Sequence, residues 1–190
     1  MLHSPSRSST SRALGLAVAG AAAISGCSDD PCGPGGAPDV GVVASGDAVT
    51  LTYGRLTGGL NNDCPASDAP AGVVSMTIHG TQTDGTGQLT LCLGRPDLLT
   101  HQALALGHDV ASAPVRIIDI TGAASACSFT VDRAQPPTGT ASSSGLCGNG
   151  KSASGFALTL DGTVSLTRTC GATIDSVKVT LHGRVAVAAQ

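Results

Sequence analysis

Over much of this chain apolar residues recur at every second position in short stretches, with turn-forming residues between them. Val49, Leu51 and Tyr53 alternate with threonine. Val74, Met76 and Ile78 alternate with Ser75, Thr77 and His79, and Leu89, Leu91 and Leu93 alternate with Gln88, Thr90 and Cys92. Ile118 and Ile120, then Cys127, Phe129 and Val131, keep the same period. A period of two sends successive side chains to opposite faces, so each stretch predicts a strand with one buried face.

Near the C-terminus Phe156, Leu158 and Leu160 precede Asp161-Gly162, and Val164 and Leu166 follow. Asp-Gly predicts a hairpin there. A three-residue loop, pairing Leu160 with Val164 and Leu158 with Leu166, keeps both apolar sets on one face. Seven or more such strands predict an all-β fold, an antiparallel β-sandwich. Residues 96–107 are the exception. Leu98, Leu99, Ala103 and Leu106 lie near helical spacing before Gly107, which predicts a short helix.

Composition supports strands over helices. All 13 acidic residues are aspartate, and only Lys151 and Lys178 carry ammonium groups, so the chain lacks glutamate and nearly lacks lysine, both good helix formers. The aromatic set is Tyr53, Phe129 and Phe156. The core must therefore be aliphatic, and an aromatic platform for carbohydrate is disfavoured.

The N-terminus carries Arg7 and Arg12 and no acid, followed by an apolar or small-residue run over 13–24. As a helix that run spans only about 18 Å against ~30 Å of hydrocarbon, too short for a stable membrane span. It reads as an export signal. The run ends in Ile24-Ser25-Gly26-Cys27, which resembles the lipobox of bacterial lipoproteins. The resemblance covers residues 1–27. It implies lipidation of the Cys27 sulfur, cleavage before Cys27 and acylation of the new amine by a fatty acid such as palmitate; several acyl chains anchor a protein stably where one does not. Serine rather than aspartate follows Cys27, which under the enterobacterial sorting pattern favours the outer membrane over the inner.

The expected organisation is then a signal peptide over 1–26, a lipidated cysteine with a Pro/Gly-rich tether over 27–38, and one domain over 39–190. Loss of Arg7 and Arg12 leaves eight basic residues against 13 aspartates, a net charge of −5 with neutral histidines. Such a surface gives no electrostatic reason to expect nucleic acid. With Cys27 lipidated, Cys32, Cys64, Cys92, Cys127, Cys147 and Cys170 remain, an even set that reads as disulfides in an oxidising compartment. Neighbours in sequence are the expected pairs: Cys32 with Cys64, Cys92 with Cys127, Cys147 with Cys170. No C-x-x-C supports a redox motif or a zinc knuckle.

Residues 145–152, G-L-C-G-N-G-K-S, satisfy the phosphate-loop pattern. A nucleotide site needs a buried strand before that loop and a helix after it. Here a Pro/Thr/Ser-rich loop precedes and strand periodicity follows, so no nucleotide is expected. Val74-Ser-Met-Thr-Ile-His-Gly80 resembles Val177-Lys-Val-Thr-Leu-His-Gly183, and each is expected to end in a glycine turn. If the two strands were neighbours, His79 and His182 would be candidates to share a metal. His101 and His108 define no site. Asn61, Asn62, Asp63 and Asp68 read as a polar turn. No G-x-S-x-G, S-x-x-K or H-E-x-x-H motif points to a hydrolase, and no catalytic residue or cofactor is assigned.

The expectation is an exported, lipid-anchored envelope protein that is non-enzymatic, a structural or protein-interaction module using loops such as 61–72 and 133–150. A small-ligand or metal-binding module is the alternative. An extracytoplasmic hydrolase is the third reading.

Overall fold

The computed structural model of the chain describes residues 41–47, 49–61, 75–94, 103–108, 113–147 and 155–188. Ten strands form the fold: β1 (Gly41–Gly46), β2 (Val49–Asn61), β3 (Ser75–Gln82), β4 (Gln88–Gly94), β5 (Ala103–Gly107), β6 (Val115–Ala124), β7 (Cys127–Val131), β8 (Thr138–Cys147), β9 (Gly155–Cys170) and β10 (Thr173–Ala188). The architecture is all-β and disulfide-stabilised, as the alternation and the cysteines predict. The layers are joined along both sides. β10, β1, β2, β3, β4, β6, β5, β8 and β9 follow one another as hydrogen-bonded neighbours, and β9 pairs back to β10, so the ladder closes on itself. Every pairing is antiparallel except the short one between β5 and β6.

The interior is filled from every wall. Val42 and Ala44, Leu51 and Tyr53, Met76 and Ile78, and Leu89, Leu91 and Leu93 are fully buried on the first four strands. Ile117 and Ile120, Phe156, Leu158 and Leu160, Val164 and Leu166, and Leu181 and Val185 complete the core. Thr159, Asp161, Lys178, Thr180 and His182, which alternate with these, are exposed. An apolar interior and a polar exterior invert the pattern of a membrane-spanning barrel.

β9 corrects the expected hairpin. Asp161-Gly162 makes no turn, because Phe156, Leu158, Leu160, Gly162, Val164 and Leu166 are already in phase along one uninterrupted strand. Asp161 points outward opposite His182 on β10 and Thr140 on β8. Gly162 points inward at a close approach: a β-carbon there would strike the Leu106 side chain and the Thr138 carbonyl. The chain reverses instead at Gly171-Ala172, where Gly171 has φ +59° in the first central position of a two-residue loop. Likewise Gly80 and Gly183 lie within β3 and β10 and end no strand.

Residues 103–107 form β5, not the end of a helix. Leu104 and Leu106 are buried while Ala103 and Ala105 are exposed, the two-residue period of a strand paired with β8. The rest of the expected helix, 96–102, lies outside the described residues. Residues 138–147, read from sequence as part of a loop, form β8. Their Thr/Ser content suits a strand once β5 and β9 supply partners on both sides.

One disulfide is Cys127–Cys170, which replaces the expected pairs Cys92–Cys127 and Cys147–Cys170. β7 and β9 are antiparallel neighbours, and continuing the Ser128↔Thr169 register sets Cys127 opposite Cys170 at a Cα separation of 4.4 Å. Cross-linking residues 43 apart removes about 4 kcal/mol of chain entropy from the unfolded state in the loop-closure model. Cys92 is also disulfide-bonded. Cys27, Cys32 and Cys64 lie outside the described residues, as does the Cys147 side chain.

The barrel end around this disulfide is held by side chains. The Tyr53 hydroxyl donates to the Thr121 carbonyl at 2.9 Å, and burial pushes its pKa well above the ordinary phenol range. The Gln82 amide takes the place of a neighbouring strand for Ala123, donating to its carbonyl at 2.8 Å and accepting from its N–H at 3.0 Å. Arg168 on β9 makes a two-pronged ion pair with Asp175 opposite it on β10, which holds the Asp175 carboxyl below its usual pKa.

Next to the disulfide, β6 turns into β7 through Ser125 and Ala126, both at positive φ (50° and 63°). A two-residue hairpin needs this geometry, but residues with a β-carbon adopt it at a cost of about 1 kcal/mol or more each. Ala126→Gly is therefore expected to raise stability by about 1 kcal/mol in chemical denaturation, with the m-value unchanged. A loss of stability would show that the turn is not strained.

Candidate functional site

The wall between β6 and β9 is uneven, and the uneven part holds the polar groups of greatest chemical interest. Towards one end, two strands, β5 and β8, fill the gap; towards the other, β7 fills it alone. β6 pairs with β5 at Val115 and Arg116 and with β7 from Thr121 to Ala124. β9 pairs with β8 up to Thr163 and with β7 from Leu166. Backbone groups between those points need other partners, and residues 132–137, which cross the seam, supply them.

The Asp132 N–H donates to the Ser165 carbonyl at 2.9 Å. Arg133 Nη2 donates to the Ile118 carbonyl on the facing strand. Asp132 Oδ1 accepts from the Ala134 N–H at 3.1 Å, which fixes the bend of the crossing segment. His108, just after β5, meets the Gln135 carbonyl through Nε2 at 2.7 Å. A carbonyl only accepts, so Nε2 carries a proton and, in the neutral ring, Nδ1 bears the lone pair. Nδ1 is buried and has no partner.

A cleft of about 410 Å³ opens at this seam, with an apolar lining that includes Leu106, Ala113, Pro136 and Pro137. Among the described residues His108 and Arg133 are its polar side chains. A concave, mostly apolar site with a few converging polar groups is the usual form of a small-molecule pocket. A second groove, of about 360 Å³, lies where β2 bulges against β3; its lining includes Arg55, Thr81 and Thr83. Arg55 is the bulged residue, at φ +48°, and is exposed.

The histidines nominated from sequence do not meet. His79 on β3 and His182 on β10 are separated by β2 and β1. Three ladder spacings of about 4.8 Å are far too wide for a shared metal. His79 contacts the Thr90 hydroxyl at 3.3 Å, and His182 stands opposite Asp161. Among the described residues no group of three His, Cys, Asp or Glu lies close enough to hold a metal. The first part of the phosphate-loop match, through Cys147, is the end of β8 and is paired antiparallel with β9. Residues 148–152 lie outside the described residues, as do Asn62, Asp63, Asp68 and His101.

Sequence reasoning set His108 aside and overlooked Arg116. His108 has a role only because residue 135 comes to it across the seam, and no local spacing encodes that. Arg116 sits among apolar neighbours, V-R-I-I, as any outward-facing strand residue would.

The site's geometry fixes a tautomer. Nitrogen-15 NMR of His108 is expected to give an Nε2–H imidazole, and Gln135→Ala, which keeps the backbone N–H bonded to Asp132 and leaves the carbonyl in place, should preserve it. An Nδ1–H ring would contradict the hydrogen bond to Gln135.

Comparison with protein-family models, with curated proteins and with solved structures finds no match for this chain.

Proposed function

We propose that the chain is a lipid-anchored protein of the bacterial cell envelope, whose barrel is a non-enzymatic scaffold presenting a binding surface to another envelope component. The observation that carries this reading is the placement of the chain's entry relative to its rigid turns. β1 runs in the same direction as β3, β6 and β9, so the chain enters it from the side on which those strands begin, although Gly41 itself lies part-way along the wall, opposite Arg184 and near the level of Gln82. The hairpins joining β3 to β4, β6 to β7 and β9 to β10 lie at the opposite end. A lipid on Cys27 would hold the entry end towards the bilayer and turn those hairpins away from it.

The outward end suits display. Gln82, Tyr53, the Cys127–Cys170 bond and the Arg168–Asp175 pair fix its backbone, so a partner meets a preorganised surface and little ordering entropy opposes binding. Ile174, 70% exposed, stands beside that hairpin as an apolar contact. Anchoring also confines the domain to a membrane surface, which raises its effective concentration there.

The seam cleft favours a second reading, a small-ligand-binding module, in which His108 and Arg133 orient the ligand. A metal-binding module with His79 and His182 has lost its geometric basis.

Cells grown with labelled palmitate should yield a labelled wild-type protein that partitions into detergent. Cys27→Ala should carry no label and leave the detergent phase. A photo-cross-linking residue at Ile174 should trap a discrete adduct in wild-type cells. Labelled Cys27→Ala protein would overturn the anchor, and no adduct from Ile174 or from Asp84 in the neighbouring hairpin would overturn the display surface.

A further inference from the structure

Among the described residues three buried side-chain nitrogens have no hydrogen-bond partner: Arg116 Nε, Arg116 Nη1 and His108 Nδ1. The fold puts their two owners side by side. Gly107 of β5 pairs with Arg116 of β6, and His108 follows Gly107. Arg116 lies on the outward phase of its strand, between Val115 and Ile117 of the core, yet only 4% of its surface is exposed. Its neighbours along the same row, Cys92 on β4 and Thr77 on β3, are buried as well.

A guanidinium keeps its charge across the physiological pH range, and an uncompensated buried charge is among the costliest features a fold can contain. Among the described residues no carboxylate pairs with Arg116. Arg168, by contrast, is only partly buried and has Asp175. Among the described residues the buried Arg116 is thus left without a counter-charge.

We propose that the β5–β6 seam binds a small oxyanion, a carboxylate, phosphate or sulfate group, on the Arg116 guanidinium. Such a group only accepts hydrogen bonds, and its oxygens can take a two-pronged pair on one edge of the guanidinium, either the unpartnered Nε with Nη2 or the unpartnered Nη1 with Nη2. Arginine is suited to this because its planar donors match an oxyanion and its weak hydration lowers the cost of burial. The cleft beside Gly107 gives room for the rest of a larger ligand, and there His108 Nδ1 accepts a hydrogen bond from a ligand hydroxyl or amide.

The test is titration of the full chain, purified in detergent, with sodium acetate, phosphate and sulfate at low millimolar concentration, against chloride at matched ionic strength. Calorimetry should detect at least one of the three binding wild-type protein at millimolar affinity or better. At a hundredfold excess over Kd, about 0.1 M anion for a millimolar site and compared with chloride at the same ionic strength, the melting temperature should rise by roughly 5–10 °C. Arg116→Met should abolish binding and, in chloride alone, melt at or above wild type, because methionine removes the buried charge while keeping the volume. Arg116→Lys should weaken binding at least tenfold. The proposal is overturned if none of the three anions binds wild type, whatever the variants do. It is equally overturned if Arg116→Met binds as wild type does, or if that variant melts well below wild type in chloride, the signature of a counter-charge supplied within the chain, such as Asp97 or Asp109.

Discussion

Closure of the ladder is the constraint on which the rest of this structure depends, and β9 is the strand that achieves it. Along all of its 16 residues it pairs with β10 on one side. On the other side it pairs first with β8 and then with β7. Every wall of the barrel is joined to the next through that strand. Closure removes the exposed edges that make open sheets prone to add further strands. It also encloses an aliphatic core of short side chains that would otherwise be thin for a domain with so few aromatics.

Changing partners along one strand has a price, and it is met at the seam. Where β8 gives way to β7, neither β6 nor β9 has a strand on its seam side, and the backbone is satisfied by the Asp132 amide, the Arg133 guanidinium and the bend that Asp132 organises. Regular ladder leaves no room for a cleft in a barrel with a packed interior; a break in the ladder does. The same irregularity brings His108 and Arg133 to one cleft, with Arg116 on β6 opposite Gly107 of the cleft wall, so the most reactive-looking chemistry lies where the fold is least regular. That is the expected relation between backbone irregularity and binding sites.

How much of this was legible in the sequence depends on the range of the interaction involved. Leu89, Leu91 and Leu93, or Val49, Leu51 and Tyr53, announce their strands because burial on one face imposes a period of two wherever the partner lies. Asp161-Gly162 misled because its composition suits a tight turn. Its neighbours were nonetheless in phase straight through it, and phase was the better guide, since a glycine was needed there to clear Leu106 and Thr138. Ser125-Ala126 carries no turn signature, and the turn exists because long-range pairing of β7 with β9 and the Cys127–Cys170 bond enforce it. Disulfide partners followed strand order in space rather than cysteine order in sequence. Of the candidate site, the histidines on regular strands were visible and proved to be apart, whereas His108 acquires meaning from Gln135 across the seam and Arg116 from the parallel contact of β5 with β6.

The central claim is that β9 runs unbroken through Asp161 and Gly162 with a partner on each side. Native-state amide hydrogen exchange measures this directly. The Asp161 and Gly162 amides should be protected to the same degree as those of Leu158, Leu160 and Val164, exchanging only through global unfolding. If those two amides exchange at rates typical of an exposed turn while their neighbours stay protected, the strand is a hairpin, the ladder does not close as described, and the seam has no structural basis.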